Sequence, residues 1–197
     1  QKVIDITVDL NSFFPNTSEP RIIVNVGGYS KDGHLKKNQR KKLYENFILS
    51  LDKLNLKGTQ ILPQTMPPFP WHFGGRSFHN IFVDPNEIKH YCEEHGLKVC
   101  LDISHSLMAC NFNNWDFNSF LLDISMHVSH LHIADALGFD GEGVELGYGD
   151  LDFDVFSKII SDKYENTTFI PEIWQGHKNN GEGFWLALKK LEPYFKN

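Results

Sequence analysis

The stretch Val99-Cys-Leu-Asp-Ile-Ser-His105 decides how this chain is read. Its first part, Val99–Ile103, is short, apolar and bounded by polar residues, the composition of a buried strand. Asp102 and His105 stand where that strand finishes. Asn86–His95, before it, carries Ile88, Tyr91 and Cys92 at the spacing of an amphipathic helix. Phe117–Met126, after it, carries Phe117, Phe120, Leu121 and Ile124 on one stripe. A strand set between two helical patterns is one unit of a parallel α/β sheet.

The same alternation extends in both directions. Ile22–Val26, Gln60–Pro63, Val128–Ala134 and Phe169–Ile173 read as strands. Lys37–Leu54, Leu151–Lys163 and Glu182–Phe195 read as helices, with Leu43, Phe47 and Leu51, with Phe153, Phe156 and Ile160, and with Phe184, Leu188 and Leu191 on their apolar faces. Lys2–Leu10 fits a strand or a helix. An open doubly wound sheet and a barrel both satisfy this order. No G-x-G-x-x-G or P-loop follows a strand, which weighs against a nucleotide-binding open sheet. Polar residues gather at the strand ends, as on the catalytic rim of a TIM (β/α)8-type barrel. A full barrel has eight strands and about 250 residues. The expectation is therefore one domain over 1–197, a barrel lacking its first one or two βα units and forming the C-terminal portion of a longer chain. A seventh barrel strand is expected around Val144–Leu146. Two open sheet edges invite pairing with another chain, so self-association or a compensating rearrangement is expected.

Composition narrows the function. The 197 residues carry a net charge of −6, which disfavours general binding to nucleic acid or to anionic membranes. No run approaches the roughly 18 apolar residues of a membrane span. Cys92, Cys100 and Cys110 are odd in number and lack Cys-x-x-Cys spacing, so a reducing cytoplasm is the expected location. Asn16–Pro20 reads as a turn, and the basic run Lys36–Lys42 as a solvated helix face.

The strand ends carry the chemistry. The first is followed by Asn25-Val-Gly-Gly and the second by Gln64-Thr-Met-Pro-Pro. The fourth contains His130-Leu-His132-Ile-Ala-Asp135, and the fifth ends in Glu172-Ile-Trp-Gln-Gly-His177-Lys178. Asp102, His132 and Glu172 thus come from three strands, with donors suited to a divalent metal, and Gln64 can add an amide oxygen. Such a mixed oxygen and nitrogen set suits Mn, Co, Mg or Zn. Each residue alone also has a plain structural use: Asp102 as a cap, His132 as a core histidine, Glu172 in a salt bridge. His130 shares the face of His132 by the period of two but sits deeper, where a structural role is expected. Asp135 has three readings: orienting His132, binding a substrate hydroxyl, or capping a helix. His105 can donate to a substrate oxygen.

These motifs resemble the xylose-isomerase-like TIM-barrel superfamily, which holds sugar phosphate isomerases and epimerases and the endonuclease IV-like proteins. Asp102 and His105 match its Asp-x-x-His, and His132 and Asp135 match the following His-x-x-Asp. Gly147-Tyr-Gly149 resembles its Gly-x-Gly turn, and Glu172 its final carboxylate. More narrowly, Trp71-His-Phe-Gly-Gly75, Asp140-Gly-Glu-Gly143 and Glu172–Lys178 resemble the isomerase-type domain attached to bacterial sialic-acid synthases. Three residues depart from the superfamily pattern. Gln64 stands where a metal-binding Glu is usual, and Asn25 and Gly143 stand near histidine positions of the endonuclease branch. That branch's trinuclear zinc site is therefore expected to be incomplete.

The resemblance implies a metal-dependent sugar or sugar-phosphate isomerase or epimerase, in nonulosonic acid or surface polysaccharide synthesis, with a synthase domain as possible partner. Glu172 would be the base and His105 a proton donor. Trp71, His72, Asp135, Trp174, His177 and Lys178 would contact substrate, with Phe73, Arg76 and His79 as further candidates. A second acid would have to be Glu142 or Glu145, since the Gln64 amide cannot move a proton. The alternatives are a non-catalytic sugar-binding or regulatory domain, and an endonuclease IV-like phosphodiester hydrolase.

Overall fold

Five short strands run parallel and follow one another in chain order: β1 (Arg21–Val24), β2 (Gln60–Pro63), β3 (Val99–Asp102), β4 (Val128–Ile133) and β5 (Thr168–Pro171). The computed structural model describes residues 1–14, 19–72 and 75–195; the side chains of Trp71 and His72 lie outside the described part, as do Phe73 and residues 16–18 of the expected turn. β1 and β2 pair from Arg21 with Gln60 to Val24 with Pro63. β4 lies between β3 and β5. A bridge between Gln64 and Cys100, with the Thr65 N–H donating to the Cys100 carbonyl at 2.9 Å, joins the two groups.

Helices fill the connections: α1 (Lys2–Asn11), α2 (Lys37–Leu51), α3 (Pro85–His95), α4 (Ile103–Asn113), α5 (Phe117–Ile124), α6 (Phe153–Ile159) and α7 (Lys178–Leu191). Asp84, Asp102, Asp116 and Asp152 start four of them by accepting a first-turn N–H, the preferred work of a short acidic side chain at a helix N-terminus. The ambiguous Lys2–Leu10 segment is helix. In α7, Asn179, Asn180 and Gly181 have positive φ, so regular helix begins at Glu182, where the periodicity places it.

Two features depart from the expectations. α4 has no amphipathic stripe, because Ile103–Cys110 is buried on every side, and a helix buried all round shows no period. The expected seventh barrel strand is absent from 144–146. Instead Gly141–Val144 pairs antiparallel with Asp135–Leu137, forming a hairpin over the strand ends. Gly138, at positive φ, opens the turn between them, and Gly143, also at positive φ, lies at the irregular register of the second strand.

The core lies between the sheet and its helices, around Leu101, Leu131, Ile133, Phe82 and Tyr44, all fully buried. Tyr44 stacks on Tyr91 at 3.9 Å between ring centroids and accepts the Phe82 N–H at 2.7 Å. The sheet's other face is buried at β3 and opens toward β5. Register sets Asp102, His132 and Ile170 at one level and Cys100, His130 and Thr168 one step below. Ile170 is 44% exposed there. Among the described residues, β1 and β5 pair on one side only, yet Arg21 Nη1 of β1 donates to Thr168 Oγ1 of β5 at 2.6 Å. The sheet is curled until its two edges come within one arginine's reach.

Two outcomes are expected. Leu131→Ala, in the central strand of the β3–β4–β5 group, removes a fully buried side chain and should cost about 2–5 kcal/mol, read from the urea midpoint. The two open edges, with Val3, Ile6 and Leu10 exposed along α1, should make the chain self-associate at high concentration. Light scattering that reports only monomer would refute the second.

Candidate active site

The C-terminal ends of β2, β3, β4 and β5 bring four polar side chains together. Gln64 follows β2, Asp102 ends β3, His132 lies in β4 and Glu172 follows β5. Gln64 Nε2 donates to Asp102 Oδ2 at 2.6 Å and lies 3.2 Å from His132 Nδ1. His132 Nδ1 is 2.6 Å from Glu172 Oε2 and 3.8 Å from Asp102 Oδ2. Asp102, His132 and Gln64 are buried, while the Glu172 side chain is 52% exposed. The group is thus a floor with one open side.

A second layer fixes the floor. Asp102 Oδ1 accepts the His105 N–H at 2.9 Å as it caps α4. The Thr65 hydroxyl accepts the Asp102 N–H at 2.9 Å and lies 2.9 Å from the Ser106 hydroxyl. His105 Nδ1 faces the Thr65 carbonyl at 2.9 Å, and Nε2 faces Glu142 Oε1 at 3.0 Å. The Ser104 hydroxyl accepts the Gly143 N–H at 3.0 Å. Thr65, Ser104 and Ser106 are neighbours of the group that sequence reasoning missed; hydroxyls at strand ends are too common to stand out. Glu142, one of two loop acids considered, turns inward. Glu145 sits instead beside Leu146, Tyr148 and Lys190.

Electrostatics follow from this burial. Loss of solvation pushes the Asp102 carboxyl up to about 6, opposed by His105. Burial disfavours charge on His105, but the Asp102 and Glu142 carboxylates outweigh it and raise the imidazole to about 9. Burial also works against ionisation of Glu172; the His132 hydrogen bond overcomes it and holds the carboxyl below its usual range.

The donor set fits a divalent cation. One atom each from Asp102, His132 and Glu172 lies within 4.8 Å of the others. Two ligands on one ion at roughly 2.0–2.4 Å are at most about 4.8 Å apart, so small shifts suffice. Two carboxylates and an imidazole offer the charge and donor types, and Gln64 can turn its amide oxygen inward.

The other candidates divide. Trp174 is 74% exposed and, with Phe69, Arg76, Met108, Asp140 and Glu142, lines an open cavity of about 320 Å³ beside the group. Arg76 is paired with Asp140. His177 and Lys178 are exposed and make no hydrogen bond to the group. Asp135 neither orients His132 nor faces substrate. It is fully buried, and its carboxylate accepts the N–H groups of Ala136, Gly147, Gly149 and Leu151 at 2.8–3.0 Å. A side chain on Gly149 would overlap that carboxylate and the Ala136 carbonyl, which explains the Gly-x-Gly turn. His79 is buried with its ring nitrogens at the Val26 and Ile81 carbonyls, a structural place. A larger cleft of about 840 Å³ lies between α2 and α3, away from the strand ends; its Arg40 is already paired with Glu87.

The family model for the xylose isomerase-like TIM barrel matches residues 2–191. The chain belongs to that family. An uncharacterised protein of Methanocaldococcus jannaschii, MJ1614, is 32% identical over 122 residues, 59% of this chain and 42% of its own length. The chain thus spans less than half of that relative. A D-tagatose 3-epimerase-like protein aligns with a TM-score of 0.62 at 18% identity, over 97% of this chain and 67% of the other. D-allulose 3-epimerase from Methylomonas sp., in complex with D-allulose, aligns at 0.56 and 15%, over 89% and 63%. Endonuclease IV from Thermus thermophilus aligns at 0.54 and 16%, over 88% and 62%. At these identities the structures share the barrel fold. No described helix is long and apolar enough to cross a membrane.

His130 yields a pH prediction. Burial lowers its imidazole from 6.5 to about 4, with His132 and Arg21 adding to the shift. The unfolded chain then binds a proton that the folded chain does not, so stability should fall as pH drops from 6.5 to 4. Urea midpoints across that window should show the loss. His130→Phe should shrink the slope, and an unchanged slope would refute the assignment.

Proposed function

We propose that this chain carries a divalent-metal-dependent sugar or sugar-phosphate isomerase or epimerase site, with the metal held by Asp102, His132, Glu172 and the amide oxygen of Gln64. The observation that carries this reading is the meeting of those four side chains at the strand ends of a xylose isomerase-like barrel, beside an open cavity walled by Phe69 and Trp174. The epimerases among the structural neighbours support it. A divalent cation bound here would polarise a substrate carbonyl.

The protein's own residues do the rest. Glu172 is half exposed, is kept ionised by His132, and is the base for a proton beside that carbonyl. His105, charged and fixed by Thr65 and Glu142, supplies a hydrogen bond to a substrate oxygen. Trp174 and Phe69 offer apolar surface to the C–H face of a sugar. Placement in nonulosonic acid or surface polysaccharide synthesis, in the cytoplasm, with a synthase domain or a second copy as partner, rests on the motif resemblance.

One observation favours a second reading, a sugar-binding module without turnover: the Gln64 amide nitrogen already donates to Asp102, the place a cation would take. Phosphodiester hydrolysis is disfavoured by the net charge of −6 and by Asn25 and Gly143 at the endonuclease positions.

Calorimetry with Mn²⁺, Co²⁺, Mg²⁺ and Zn²⁺, followed by a ketohexose and sugar-phosphate panel, tests the proposal. Asp102→Asn should weaken metal binding by about 100-fold or more. Glu172→Gln should lower turnover by about 10²–10⁴-fold. Sugar binding without turnover would select the second reading, and binding of abasic duplex DNA would select the hydrolase.

A further inference from the structure

Glu142 does more than hold His105, because its position is tightly built. It lies in the strand Gly141–Val144 of the rim hairpin. The Gly143 N–H donates to the Ser104 hydroxyl of α4 at 3.0 Å, and the Gly143 carbonyl accepts the Trp174 N–H at 2.7 Å. Gly143 has φ +71°, and a side chain on it would come within 3.0 Å of the Trp174 nitrogen. Only glycine lets the hairpin press this closely between α4 and the end of β5. That pinning sends the neighbouring Glu142 carboxylate across to His105.

His105 then fixes the carboxylate. Its Nδ1 faces the Thr65 carbonyl, which can only accept, so Nδ1 carries hydrogen. The remaining ring nitrogen is directed at Glu142 Oε1 at 3.0 Å. Glu142 is thus held by one oxygen while its side chain remains 48% exposed and lines the cavity with Phe69, Met108 and Trp174. Glu172 follows β5 two residues before Trp174 of the cavity wall, and Glu142 is held on the β3–α4 side by His105. Between them stand His132, 2.6 Å from Glu172, and Asp102, whose Oδ2 is 3.8 Å from His132 Nδ1 and 3.4 Å from His105 Nδ1.

Inversion at a carbon beside a carbonyl needs a proton-moving group on each face. Glu172 serves one, and Gln64 cannot serve the other because an amide neither takes nor gives a proton at neutral pH. We propose that Glu142 is the second acid–base residue, acting on the sugar face opposite Glu172; this rests on the epimerase reading above. For one epimer, ionised Glu172 takes the proton from the carbon beside the carbonyl. The C–H bond breaks, its electron pair forms the carbon–carbon double bond of an enediolate, and the negative charge moves to the carbonyl oxygen. Glu142, carrying a proton drawn from solvent through its exposed side, then gives it to the other face of the same carbon as the carbonyl re-forms. Glu172 ends protonated and Glu142 ionised, the state from which the reverse reaction starts.

The test follows proton exchange in D₂O by NMR, using the full chain loaded with Mn²⁺ and D-fructose, D-allulose and D-tagatose as probes. Wild type should convert at least one of these sugars and place one solvent deuterium at the inverted carbon. Glu142→Gln should lose conversion by at least about 100-fold. It should still exchange the hydrogen of the epimer that faces Glu172, with configuration retained. Glu145→Gln should behave as wild type. Conversion by Glu142→Gln within about threefold of wild type would overturn the role of Glu142 and leave the epimerase reading standing. Loss of exchange from both epimers, in a variant with wild-type circular dichroism and Mn²⁺ affinity, would also overturn it, because that marks a purely structural residue. A wild-type chain that exchanges no hydrogen with any of the three sugars overturns both.

Discussion

Asp102 keeps a carboxylate where water barely reaches it, and each of its oxygens has a different duty. Oδ1 caps α4 by accepting the His105 N–H. Oδ2 faces the Gln64 amide and lies near His132. A charge in such a place is tolerated only when its surroundings are arranged to receive it. That requirement reaches far. It sets where β3 stops and α4 starts, and it orients His105. It also demands a hydroxyl at Thr65 to hold the Asp102 backbone. The buried helix α4, the rim hairpin seated on Ser104 and the Glu142–His105 contact all follow from that start.

The floor of this site balances two like charges against few compensating groups. Asp102 and Glu172 both turn toward His132, and burial has already pushed Asp102 toward its neutral form. A fourth ligand with a carboxylate would worsen that balance without a cation and improve it around one. Gln64 has the opposite preference. Its amide donates to Asp102 and steadies the floor without a charge of its own. The same residue therefore spares the floor a third negative charge, and offers a cation less charge than a carboxylate there would.

Much of this arrangement could be read from residue order. Strands such as Gln60–Pro63 and Val99–Asp102 declare themselves because both their faces are apolar, and the polar residues that end them are then conspicuous. The three-strand meeting of Asp102, His132 and Glu172 follows from parallel order alone, since equal strand ends in a curled sheet must converge. Other parts leave no trace at that level. α4 is hidden because its neighbours cover it entirely. The rim hairpin is easily mistaken for a wall strand because Val144 and Leu146 look alike in either role; only the glycine conformations decide it. Asp135 sits in a motif beside the chemistry, yet four backbone N–H groups claim its carboxylate, a pattern that becomes visible only once the loop is folded.

The hydrogen bond from Arg21 to Thr168 joins residues 147 positions apart, across the mouth of the curled sheet. Local contacts of the βα units can form early, each with a short loop to close. This one cannot, because the entropy of closing so long a loop is recovered only after the intervening strands have stacked in order. The bond is therefore a late event in folding and an early loss on opening. Its hydroxyl acceptor is also bonded to His130, directly beneath the site. Fraying of either edge strand thus reaches the floor of the site through a single threonine, so slow breathing of the edge strands and order among the side chains of the candidate site belong to one cooperative unit.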